Sequence, residues 1–121
     1  VILADTSIWV DHLRTHQVRL ARLLDAGLVL IHPAVLGELA LGTMRQRRIV
    51  LGALANLPRA VAATDAEVLA FIDRNALFGR GIGYVDAHLL ASVRLTTGAR
   101  LWTHDRRLRD VAQMLDVLAA F

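Results

Sequence analysis

Apolar and polar positions alternate in blocks along this chain, and the blocks change period repeatedly. Val1–Ala4 is a short apolar run ending at an acid, the pattern of a buried strand. Thr6–Arg14 carries Ile8, Trp9 and Leu13 on one helical face, and Val18–Leu24 repeats Leu, Val and Arg at helical spacing until Gly27. Leu28–Ile31 predicts a second strand. Pro33 suits the first turn of a helix running to about Gly42. Arg45–Arg48 opens a further helical stretch that ends near Pro58, and Arg59–Ala63 predicts a short strand. Thr64-Asp-Ala-Glu67 has the form of a capping box and predicts a helix to about Leu77. Gly79, Gly81 and Gly83 form a flexible connection. A helix over Tyr84–Thr97 follows, then a strand over Arg100–Thr103, a helix over Asp105–Leu115 and a final strand over Val117–Ala120.

That order predicts an α/β fold in which helices cover both faces of a parallel sheet. In such sheets ligands bind beyond the carboxyl ends of the strands. Asp5 and Asp105 stand just past such ends, while Glu38 and Asp86 lie on helices able to lean over the same edge. Gathered together, four carboxylates repel, and a hard cation such as Mg²⁺ or Mn²⁺ relieves that repulsion. Each acid also has an ordinary reading. Asp5 and Asp105 make good helix N-caps, Asp86 suits a first turn, and Glu38 suits a solvent face.

Composition narrows the chemistry. The 121 residues fit one domain spanning 1–121, and 55% hydrophobic content is enough for a core. No apolar run approaches the ~20 residues that span a bilayer, and the opening run is too short for a signal peptide. The absence of cysteine excludes disulfides, zinc–thiolate sites and thiol nucleophiles, and makes the cytoplasm the default location. All 14 basic residues are arginine, so P-loop and Ser/Lys hydrolase chemistry are excluded for want of lysine. The net charge is +3, but sequestering four of the 11 acids around a metal leaves seven against 14 arginines. Such a surface suits an anionic partner.

Four segments together resemble the PIN domain family, and within it the toxins of VapBC-type toxin–antitoxin pairs. They are Val1-Ile-Leu-Ala-Asp5-Thr-Ser, Ala34-Val-Leu-Gly-Glu38-Leu, Gly83-Tyr-Val-Asp86-Ala-His-Leu-Leu-Ala-Ser and Leu101-Trp-Thr103-His-Asp105-Arg-Arg-Leu. The resemblance covers essentially the whole chain. It implies a three-layer α/β/α sandwich with a central, mainly parallel sheet. It implies Asp5, Glu38, Asp86 and Asp105 as catalytic metal ligands for Mg²⁺, with Mn²⁺ as a substitute, and Thr6, Ser7 and Thr103 as supporting hydroxyls. It further implies hydrolysis of RNA phosphodiester bonds by metal-activated water, a homodimer, and neutralisation by a small antitoxin.

Arg45, Arg47, Arg48, Arg106, Arg107 and Arg109 are candidate RNA contacts, and Arg80, in the glycine-rich connection, is the favoured one. Trp9, Phe78, Tyr84 and Trp102 are candidates for stacking bases, with core packing the alternative for Trp102 and a dimer or antitoxin contact the alternative for Trp9. Two other functional readings stay open. One is a PIN-fold nuclease acting on DNA; the other is a catalytically silent module that binds RNA or a protein.

Overall fold

A computed structural model describes residues Val1–Phe121. Three short strands form a parallel sheet: β1 (Ile2–Ala4), β2 (Val29–Leu30) and β3 (Arg100–Trp102), in the order β2-β1-β3. Ile2 pairs with Val29 on one side and Arg100 on the other, and Leu3 pairs with Leu30 and Leu101. Neighbouring residues of a strand face opposite sides of a sheet. Leu3 and Ala4 are both fully buried, so β1 is covered on both faces. That is the α/β/α sandwich the sequence predicts.

Seven helices supply the covering layers: α1 (Thr6–Arg14), α2 (Val18–Asp25), α3 (Pro33–Leu41), α4 (Arg47–Ala55), α5 (Asp65–Arg74), α6 (Tyr84–Leu95) and α7 (Arg106–Met114). One continuous core joins the strand residues to Ile8, Leu20, Val35, Leu90 and Leu108. Trp9 belongs to that core and is 2% exposed, so it serves neither base stacking nor a dimer or antitoxin contact. No helix is long and apolar enough to cross a membrane.

The two remaining predicted strands shrink to single bridges, Ile31 with Arg59 and Leu101 with Leu118. At the first, Ile31 bonds to Pro58 and Ala60 only, and the chain then leaves the sheet to reach the Thr64 cap. Both bridges lie at the outer edges, where short pairing leaves little open edge exposed. Two helices are also shorter than predicted. Gln46 takes a left-handed conformation (φ 52°) and holds α4 back to Arg47, while Ala76 (φ 51°) keeps Leu77 out of α5.

The Thr64–Glu67 capping box forms as read. The Thr64 hydroxyl accepts the Glu67 N–H at 3.1 Å, and the Glu67 carboxylate accepts the Thr64 N–H at 2.9 Å. Thr64→Ala is expected to cost about 1 kcal/mol, typical of a lost N-cap. A thermal melt of the variant should fall by about 4 °C, and an unchanged melt would show the cap to be idle.

Topology fixes where a ligand belongs. The connection after β1 leads towards β2, whereas the chain after β3 leads outward to Leu118. The two strands therefore part company at their carboxyl ends, between Ala4 and Trp102. That is the crevice position of open α/β sheets.

Candidate active site

Asp5 and Thr103 are the residues that leave β1 and β3 at this crevice. Asp5 is 6% exposed, and Thr103 is buried beside it. The Thr103 hydroxyl donates to Asp5 Oδ2 across 98 residues of sequence, while the Ser7 hydroxyl donates to Asp5 Oδ1 at 2.5 Å. The same Oδ1 accepts the Ile8 N–H at 3.3 Å, which makes Asp5 the N-cap of α1. Asp5 is thus both a cap and a fixed carboxylate, and one role does not exclude the other.

Thr103 extends the arrangement, since its hydroxyl accepts the Asp105 N–H at 3.0 Å. Asp105 in turn caps α7 by accepting the Leu108 N–H at 2.9 Å. Glu38 lies on the exposed side of α3, where the Thr6 hydroxyl donates to its Oε1 at 2.5 Å. Thr6 and Ser7, adjacent on α1, therefore hold two different acids.

Asp86, half-buried in the first turn of α6, accepts the Gly83 N–H at 3.0 Å. Burial pushes its carboxyl above the usual range, and the charges of Asp105, Asp5 and Glu38 push it the same way; only the Gly83 N–H pulls it down. All four predicted acids consequently share one electrostatic field. They stand apart rather than as a closed cage, and no three Asp, Glu or His side chains approach closely enough to enclose an ion as they stand. The donors fit a hard divalent ion in kind, being carboxylate oxygens, and the like-charge repulsion felt at Asp86 is what such an ion relieves.

The predicted arginines divide. The Arg107 side chain packs on Gly81: a Cβ there would sit 2.7 Å from its Cδ and 2.8 Å from its Nη1. Gly81 also has φ +80°, the backbone conformation for which glycine is suited; the Arg107 side chain, being flexible, could give way to a Cβ. Arg80 is exposed and turned back onto the Ala76 carbonyl at 2.9 Å. Arg106 is exposed on α7. Phe78 is also exposed, and Trp102 is half-buried with its ring 4.8 Å from that of Phe121.

Two features escaped the sequence reading. Asp65 accepts the Tyr84 hydroxyl at 2.7 Å and meets His88 Nε2 at 3.1 Å; these bonds, Tyr84 first, hold its carboxyl below the usual range. Tyr84 and His88 lie two residues either side of Asp86, which turns them roughly 200° around the helix and away from it. His32 follows β2, and its Nδ1 accepts the Ala34 N–H at 3.0 Å as the N-cap of α3. Burial and the charge of His88 push its pKa down, and its buried Nε2 has no partner. A histidine directly before a helix-starting proline was the available signal.

Comparison with known families matches residues 2–114 to the PIN domain. This chain belongs to the PIN domain family. Among curated relatives, it is 51% identical over 109 residues to Ribonuclease VapC32 of Mycobacterium tuberculosis, in strains CDC 1551 / Oshkosh and H37Rv. The alignment covers 90% of this chain and 88% of that relative. The PIN assignment agrees with the parallel sheet and with the crevice that Asp5 and Thr103 share.

Proposed function

We propose that this chain is a metal-dependent endoribonuclease and the toxin of a type II toxin–antitoxin pair. The observation that carries the proposal is the field at Asp86, where three other acids from separate parts of the chain act on one carboxyl. The 51% identity to a protein named as a ribonuclease supports RNA over DNA as the substrate. A complete set of four acids favours catalysis over a silent binding module.

Asp5, Glu38, Asp86 and Asp105 would hold Mg²⁺, with Mn²⁺ as a substitute. A divalent ion supplies Lewis acidity, which stabilises charge on the phosphodiester and favours ionisation of the attacking water. The chain's own residues prepare the place. Thr103 and Ser7 fix Asp5 from both carboxylate oxygens, and Thr6 steers Glu38. Such outer partners orient ligands that would otherwise rotate freely. The cap bond to Gly83 ties Asp86 to the glycine loop.

A homodimer, a cognate antitoxin and a cytoplasmic location belong to the same proposal. Leu41 and Ile49, 90% and 69% exposed on the packed α3–α4 pair, offer apolar surface for a protein contact.

Chelation tests the reaction. Purified protein treated with EDTA should lose cleavage of single-stranded RNA, and added Mg²⁺ or Mn²⁺ should restore it. Undiminished cleavage in EDTA would sink the metal mechanism. Preference for duplex DNA would sink the substrate assignment.

A further inference from the structure

A concavity of about 810 Å³ reaches the carboxyl end of β3. Thr103, whose hydroxyl is bonded to Asp5, is part of its lining, so the concavity adjoins the acid site. Arg19 and Arg22 of α2 and Arg109 of α7 line it, and no Asp or Glu does. None of these three guanidinium groups forms an ion pair or a hydrogen bond within the protein. Trp102 and Phe121 provide aromatic surface, and Arg19 lies 4.5 Å from the centre of the Phe121 ring. The nearby acid, Asp11, is already paired with His104 at 2.9 Å.

We infer that this groove is a subsite for single-stranded RNA, taking the strand that flanks the bond to be cut. The inference rests on the ribonuclease reading above. Guanidinium groups that form no ion pair within the protein are suited to phosphates, which they grip bidentately. Aromatic faces accept bases without demanding a sequence, and single strands alone present their bases that way. A second depression, about 300 Å³, shares His104 and Arg109 with the groove and includes Arg106 and Asp110. The path thereby extends along α7 to one of the arginines singled out from sequence. Arg80, bonded to the Ala76 carbonyl, and Arg107, packed on Gly81, lie outside both lining sets.

Binding can be read without cleavage. An Asp5→Asn chain in EDTA is titrated into a labelled single-stranded RNA of about 12 nucleotides, long enough to fill such a site, and anisotropy is followed at several salt concentrations. Adding Arg22→Ala and Arg109→Ala should weaken binding at least about tenfold. The slope of log K against log salt should shrink by about 1.4, from two lost phosphate contacts at roughly 0.7 each. Removing Arg45 and Arg74, exposed arginines outside the groove, should leave the slope nearly intact. In a Trp9→Phe background Trp102 is the sole indole, and RNA should quench its fluorescence. Unchanged affinity and slope in the Arg22/Arg109 variant would overturn the subsite. So would saturable binding of a glutamate-rich peptide that depends on those arginines while RNA binding does not, because the groove would then serve a protein. Failure of the metal-loaded wild-type chain to cut RNA would count against the ribonuclease reading alone, since the binding comparison has its own result.

Discussion

Asp5→Asn should lower RNA cleavage by more than about a hundredfold while leaving the fold in place. The magnitude follows from its position. Loss of an outer partner of a metal ligand typically costs 10–100-fold, and Asp5 is proposed as a ligand itself, braced by Thr103 and Ser7. Thr103→Val, which removes the brace together with the acceptor of the Asp105 N–H, should fall within that range. The fold survives because asparagine keeps an oxygen for the Ile8 N–H and an amide that can donate to the Thr103 hydroxyl. Cleavage assays under single-turnover conditions, paired with a thermal melt, decide it. Full activity in a folded Asp5→Asn protein would remove Asp5 from the chemistry.

Asp86→Asn should act in opposite directions on activity and stability. Cleavage should fall by orders of magnitude, yet the metal-free protein should melt at a higher temperature than wild type. Asp86 is half-buried among three like charges, so its carboxyl binds a proton more readily folded than unfolded. Such a group destabilises the native state at neutral pH. That penalty is relieved as pH falls through the raised folded value and is gone below the ordinary carboxylate pKa, about 4. The gap between variant and wild type should therefore be widest near neutrality and close in acid. Saturating Mg²⁺ should reverse the order, because the ion stabilises the ionised wild-type site. A variant that melts lower than wild type without metal would show that the Gly83 bond outweighs the repulsion.

Much of this was open to reading from the sequence because it depends on local signals. Buried strands ended by acids, a Thr–Glu capping box and a proline at a helix start place β1, α3 and the start of α5 almost to the residue. The edge bridges at Arg59 and Leu118 were over-read as strands, since apolar runs reveal burial but not how many residues a neighbour pairs. Among the acids, periodicity offered two roles for Asp5 and Asp105 as though they competed. In three dimensions a cap uses one oxygen and leaves the carboxylate charge in the shared field. The groove arginines were harder. Arg19 and Arg22 lie on a helix far in sequence from the motifs, and only tertiary packing sets them beside Trp102.

The bond between Thr103 and Asp5 also bears on the order in which a ribosome would produce this molecule. The central strand is made before its two neighbours, yet its Asp5 is seated by a residue 98 positions later, and β1 lacks its β3 neighbour until then. Any shorter nascent chain lacks both the second wall of the crevice and Asp105. A protein proposed to cut RNA is thus assembled so that its acids cannot come together while most of it is still being translated.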